Sequence, residues 1–153
     1  MTIDTSKGFT LTRELDATPE QIWNAWTVPD EMAEWWHPRD LHTPRETVDA
    51  DLRVGGAYRY TMVDEAGETH PSGGVYREVT PTEKLVFTWG DPSVDPDDNP
   101  IVSVGIRSLG ELTRVTLEVQ GVDGNRGDQY FYDGWDQALD SLVQHLGQTD
   151  VFG

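Results

Sequence analysis

Residues 19–38, PEQIWNAWTVPDEMAEWWHP, hold four of the six tryptophans of the chain. Four indoles in so short a segment cannot all face water; they face a core, a partner or a cavity. The segment is punctuated as two short helices. Thr18 followed by Pro19 reads as an N-cap with proline at the first helical position, and Ile22, Trp23 and Trp26 form an apolar stripe. Pro29 restarts a second helix with Asp30 and Glu31 in its first turn and Met32, Trp35 and Trp36 on one face; Pro38 ends it.

The rest of the chain alternates. Phe9, Leu11, Arg13 and Leu15 share one parity against Thr10, Thr12, Glu14 and Asp16, which predicts a half-buried strand. After Arg45 the period is two again: Val48, Ala50, Leu52 and Val54 on one face, a turn or bulge at Gly55-Gly56, then Tyr58, Tyr60 and Met62. A hairpin turn is expected at residues 65–68, a strand over 73–79, and another with Leu85, Phe87 and Trp89 on one side. Residues 91–100, DPSVDPDDNP, read as an acidic loop. Strands through Val102, Val104, Ile106 and through Val115, Leu117, Val119 are joined by a turn near Leu109-Gly110. From about Asp128 to Leu146 the apolar residues fall at helical spacing, with Phe131, Trp135 and Leu139 on the stripe, Gly134 inside it and Gly147 as the C′ residue. The order strand, two short helices, six strands, long helix argues for an antiparallel sheet with the last helix laid across it.

Composition narrows the function. The chain has 153 residues, enough for one domain (1–153, with its core over about 9–146), and no cysteine. Disulfides, thiolate metal sites and a thiol nucleophile are thereby excluded. Twenty-eight acids stand against 11 bases, a net charge of −17, which repels phosphate backbones and argues against nucleic-acid partners. The acids either confer solubility or steer a cationic partner. Neither an apolar leader nor a membrane span is visible, so a cytoplasmic location is expected.

The ordered pieces Ala17-Thr18-Pro19-Glu20, Ile22-Trp23-Asn24-Ala25-Trp26-Thr27, Pro29-Asp30, Trp35-Trp36-His37-Pro38, Val54-Gly55-Gly56, Gly74-Val75-Tyr76, residues 83–89 (EKLVFTW) and Gly134-Trp135 resemble the Bet v 1-like, or START-like, helix-grip superfamily. Within it the chain resembles the branch related to the C-terminal domain of the activator of Hsp90 ATPase. The resemblance covers about residues 9–146. It implies an α+β fold in which a curved seven-stranded antiparallel sheet grips a long C-terminal helix, often around an apolar cavity. It also implies a choice of functions: binding of a small apolar or aromatic molecule, a chaperone-type protein interaction, or cyclase- or hydrolase-like chemistry, in a monomer or a homodimer. Fold alone does not choose among them.

Candidate ligand contacts follow from parity and from the expected cavity. Trp26, Trp35, Trp36, Tyr58, Tyr60, Tyr76, Phe87, Trp89, Phe131, Trp135 and Leu139 are candidates for its wall or for plain core. Arg13 points to the apolar side, so it holds either a structural ion pair or a ligand anion. Glu78 has the parity of Tyr76 and reads as an inward carboxylate, a partner for an arginine. His37, beside Trp36, reads as a polar contact at the mouth. His37 and His42 do not share a helical face, and the 91–100 loop lacks the spacing of an EF-hand, so neither a metal nor a cofactor is expected. No nucleophile-elbow, phosphate-loop or zinc-protease pattern is present, so no catalytic residue is assigned.

Overall fold

Alternation in the first segment produces β1 (Gly8–Leu15), with Leu11 and Leu15 buried and Thr10, Thr12 and Glu14 exposed. The structure is a computed structural model and describes residues 6–38, 40–128 and 131–146. Two helices follow, α1 (Pro19–Thr27) and α2 (Pro29–Trp35). Thr18 caps α1 with a reciprocal pair: its hydroxyl accepts from the Gln21 amide, and the Gln21 side chain accepts from the Thr18 amide. Trp36 lies just past the end of α2 rather than on its face.

Then come β2 (Asp49–Ala50), β3 (Ala57–Val63), β4 (Thr69–Thr80), β5 (Lys84–Thr88), β6 (Ile101–Ser108), β7 (Thr113–Gln120) and α3 (Phe131–Leu146). They form a seven-stranded sheet in the order β1-β7-β6-β5-β4-β3-β2, antiparallel at every junction. The α+β helix-grip architecture is therefore present, with α3 packed against β1, α1 and α2.

Two expectations about strands need correction. The alternation of residues 48–54 yields a strand of only Asp49–Ala50; Leu52 and Val54 are 39% and 63% exposed in the connection to β3. That connection turns tightly, because the Gly56 position would place a Cβ 2.0 Å from the Asp51 carbonyl oxygen. Glu78 is also turned. A bulge between Tyr76 and Glu78 shifts the register, so Glu78 pairs with Val86 while Tyr76 pairs with Phe87. Val86 and Phe87 lie on opposite faces, so Glu78 leaves the inner face, and its carboxylate accepts from the Thr80 hydroxyl.

Asp128 accepts from the amides of Tyr132 and Asp133 and caps the start of α3; Gln129, Tyr130 and the expected C′ residue Gly147 lie outside the described residues. Arg13 anchors the middle of this helix. Its guanidinium donates to the Asp136 carboxylate and to Asp140 Oδ1 at 3.2 Å, two acids one turn apart. Farther along, His145 Nε2 lies 2.8 Å from Glu31 Oε1 and ties α3 to α2.

Candidate functional site

The centre of the molecule is solid. Trp26, Trp35, Tyr76, Phe87 and Leu139 are 0% exposed, and Trp36 and Tyr58 are 2% exposed. Trp26 is the hub: Trp35 meets it edge-on with centroids 4.6 Å apart, and Trp135 stacks on it at 6.2 Å. Trp36 lies flat against Tyr60 at 4.9 Å and Tyr58 at 5.5 Å. The turn that ends α2 makes this possible, because it swings the Trp36 ring off the helix and onto β3. Trp35 Nε1 donates to the Ala25 carbonyl at 2.8 Å and Tyr58 Oη to the Thr88 carbonyl at 2.7 Å.

Space remains at one end. A cleft of about 730 Å³ opens between residues 36–38, 40 and 41 after α2, the β3–β4 hairpin, Trp89 and the first turns of α3. Six residues expected at a ligand site line it: Trp36, His37, Tyr60, Trp89, Phe131 and Trp135. Trp26, Trp35, Tyr58, Tyr76, Phe87 and Leu139 instead close the core behind it, Arg13 is paired beneath α3, and Glu78 has left the inner face. The lining also holds Pro38, Asp40, Leu41, Met62, His70, Asp133, Gly134, Gln137 and Ala138. Of these, Met62 continues the Tyr58 and Tyr60 parity and is readable as inward, and His70 pairs with it from the start of β4; Asp40 and Leu41 sit in the connection after α2 and carry no periodic signal. A smaller hollow of about 310 Å³ lies between β3–β4 and the acidic loop.

The wall is aromatic with few polar handles. Trp89 meets Trp135 at 5.2 Å and Phe131 at 5.7 Å, both edge-on. Trp89 Nε1 donates to Tyr60 Oη at 2.8 Å, and burial pushes the Tyr60 phenol up to about 12 against the pull of the Trp89 and Ser72 hydrogen bonds. Burial likewise raises Tyr58 and Tyr76. None of the three supplies a phenolate near neutral pH. The indole N–H groups of Trp36 and Trp135, both in the cleft wall, have no acceptor among the described residues. Replacing Tyr60 with Phe adds the Trp89 N–H to that set. A loss of about 1 kcal/mol in urea unfolding is expected, because Trp89 is only half-buried and water recovers part of the bond.

His37 follows Trp36 and lines the cleft. Thr43 has one hydroxyl proton, which it donates to the Trp36 carbonyl at 3.1 Å. Its oxygen then accepts from His37 Nδ1 at 3.2 Å, leaving Nε2 as the acceptor of a neutral ring. Burial, and then the neighbouring His42, hold the His37 pKa below its ordinary value, while Glu34 opposes them. The folded protein therefore binds this proton less tightly than the unfolded chain. The resulting stability is complete above the unfolded value of about 6.5 and is lost as the pH falls through the folded one. Urea unfolding at pH 7.5 and 5.5 is expected to show a smaller acid loss in His37→Gln than in the parent.

Residues 16–147 match the family described as activator of Hsp90 ATPase homolog 1-like protein. The chain belongs to that family. No curated protein sequence matches it. Among solved structures, a protein from Chromobacterium violaceum is 27% identical with a TM-score of 0.78, covering 92% of this chain and 97% of its own. One from Nitrosomonas europaea, at 24% identity and TM-score 0.80, covers 97% and 99% and supports the fold alone. The Aha1 dimer from Colwellia psychrerythraea, at 15% identity and TM-score 0.69, covers 94% and 98% and again speaks only to the fold; that relative is a dimer. Membership of the family does not by itself fix an activity. In this member no described helix is long and apolar enough to cross a membrane.

Proposed function

We propose that this activator-of-Hsp90-ATPase-like domain binds a small apolar or aromatic molecule in the cleft at the start of α3. One observation carries the reading: about 730 Å³ of open space walled by Trp36, Tyr60, Trp89, Phe131 and Trp135, beside a core in which Trp26, Trp35, Tyr58, Tyr76 and Phe87 are packed shut. That volume lies within the usual range of ligand sites, about 300–1,000 Å³. A domain needing only stability gains by filling such a space, since each unfilled methylene-sized void costs on the order of 1 kcal/mol. The unpartnered indole N–H groups of Trp36 and Trp135 favour a ligand that carries an acceptor atom as well as apolar surface. Reaching them requires small ring movements, because both atoms are sealed from solvent. Family membership alone accommodates a protein-interaction role equally well; the aromatic cleft is what favours a small molecule.

Native mass spectrometry of the protein purified from its own host, with extraction of whatever is released, tests the reading together with a titration of the neutral dye Nile red. A reproducible adduct, or saturable one-to-one dye binding, is expected. A protein of bare chain mass that also fails to bind the dye at millimolar concentration overturns it.

A further inference from the structure

Several polar atoms on the rings of this core are paired: Trp35 Nε1 with the Ala25 carbonyl, Tyr58 Oη with the Thr88 carbonyl and Trp89 Nε1 with Tyr60 Oη. Four are buried without a partner among the described residues: the Tyr76 hydroxyl and the indole N–H groups of Trp26, Trp36 and Trp135. The three indoles touch one another, with centroids 5.8, 6.2 and 6.5 Å apart. Two of them, Trp36 and Trp135, also line the cleft, although their rings are only 2% and 4% exposed. A buried donor without an acceptor is uncommon and destabilising. Two of them where one open space meets the core mark the place for an acceptor that an occupant brings.

An indole N–H only donates, so the group that meets it must accept. A carbonyl oxygen accepts through two lone pairs and carries no proton. A hydroxyl accepts as well, but its proton then needs an acceptor of its own. A carboxylate carries a full charge among rings, and desolvating it costs far more than desolvating a carbonyl. The rings packed on the two indoles belong to Trp26, Trp35, Tyr58, Tyr60, Phe87 and Trp89, all neutral. Resting on the binding reading above, we propose that the occupant of the cleft is a neutral carbonyl compound with an apolar or aromatic body, a ketone, ester or quinone, held with its oxygen inward against the indole N–H groups of Trp36 and Trp135. Both groups are sealed from solvent, so binding includes a small rotation of these rings.

Two probes of nearly the same shape test the proposal: 2-acetylnaphthalene and 2-isopropenylnaphthalene, in which a methylene group replaces the carbonyl oxygen. Each is titrated into nitrogen-15-labelled protein while the indole N–H cross-peaks are followed. Ring-current shifts from the naphthyl body are common to both complexes, so the difference between them reports the oxygen. With the ketone, the Trp36 and Trp135 cross-peaks are expected downfield of their positions with the hydrocarbon, while those of Trp23 and Trp35 coincide. The carbonyl stretch of the bound ketone is expected below its value in hexane, a measurement that needs no variant. Trp135→Phe keeps a ring and removes a donor; it should lower the ketone-to-hydrocarbon affinity ratio about fivefold, as the loss of one net hydrogen bond does, and Trp36→Phe should do the same. If both probes bind, no indole cross-peak separates them and the stretch stays at its hexane value, the carbonyl proposal is overturned and the cleft reading stands. Binding of the hydrocarbon alone has the same meaning. A lowered stretch with a ratio that neither variant changes puts the hydrogen bond elsewhere and overturns the role of the indoles. So does a buried water that stays on both N–H groups in the ketone complex, seen as cross-relaxation with solvent. Binding of neither probe by a folded protein overturns both readings.

Discussion

Trp26→Ala is expected to remove about 3–5 kcal/mol of folding stability, the largest effect of any single truncation in this domain. Trp26 is fully buried and touches Trp35, Trp36, Phe87 and Trp135 at once, so its loss opens a void bordered by α1, α2, β5 and α3 together. The surrounding rings are large and rigid and cannot slide in to fill it. Its indole N–H has no acceptor among the described residues, so truncation orphans no partner and the cost is one of packing. Measured against a total stability of about 5–15 kcal/mol, such a loss leaves the variant partly unfolded at physiological temperature or close to it. Urea unfolding followed by far-ultraviolet circular dichroism gives the value without relying on tryptophan emission. A cost below about 1 kcal/mol is incompatible with Trp26 as the hub of the core.

Gly134→Leu is expected to do the opposite: leave the fold intact or stabilised and empty the cleft of ligand. A Cβ at position 134 meets only Pro38 Cγ, at an ordinary 3.7 Å, so a longer side chain can grow from the helix into the opening. Glycine inside a helix costs about 1 kcal/mol relative to a good helix former, so α3 gains from the change. The leucine occupies space that a ligand body requires, and Nile red binding should weaken by about 100-fold or more, the equivalent of losing roughly 3 kcal/mol of binding energy. Gly134→Ala is the companion: its single methyl group raises the melting temperature while leaving room for the dye. Unchanged dye binding in Gly134→Leu, with the helix intact, would move the ligand elsewhere.

The sequence made the architecture legible because each element announces itself through a period or a punctuation mark. Thr18-Pro19 and Pro29 start the two short helices where they occur, and the parity of Arg13 with Leu11 and Leu15 places it on the inner face under α3. Parity fails where the backbone departs from regular pairing. The bulge before Glu78 reversed a side chain that simple alternation put inside, and the turn through residues 51–56 consumed Leu52 and Val54, which had read as strand. The candidate site was legible only in part for a different reason. Apolar periodicity says that a ring faces inward, but it does not say whether another ring or empty space lies in front of it. Tyr58 and Tyr60 have the same parity on one strand; Tyr60 reaches the cleft while Tyr58 is sealed beneath Trp36. Residues such as Asp40 and Leu41 arrive at the cleft through the connection after α2, where sequence carries no facing rule.

The contiguity of the aromatic rings has an optical consequence. Trp35, Trp26, Trp36, Trp135 and Trp89 form an unbroken path in which successive centroids lie 4.6, 5.8, 6.5 and 5.2 Å apart. At such separations indoles no longer absorb and emit as independent chromophores. Their near-ultraviolet transitions couple, and excitation delivered to any one of them migrates among all. Three members of the path, Trp36, Trp135 and Trp89, border the cleft. A molecule that settles against them therefore alters the emission of indoles buried on its far side, and the fluorescence of the whole core becomes a native gauge of occupancy that needs no added label.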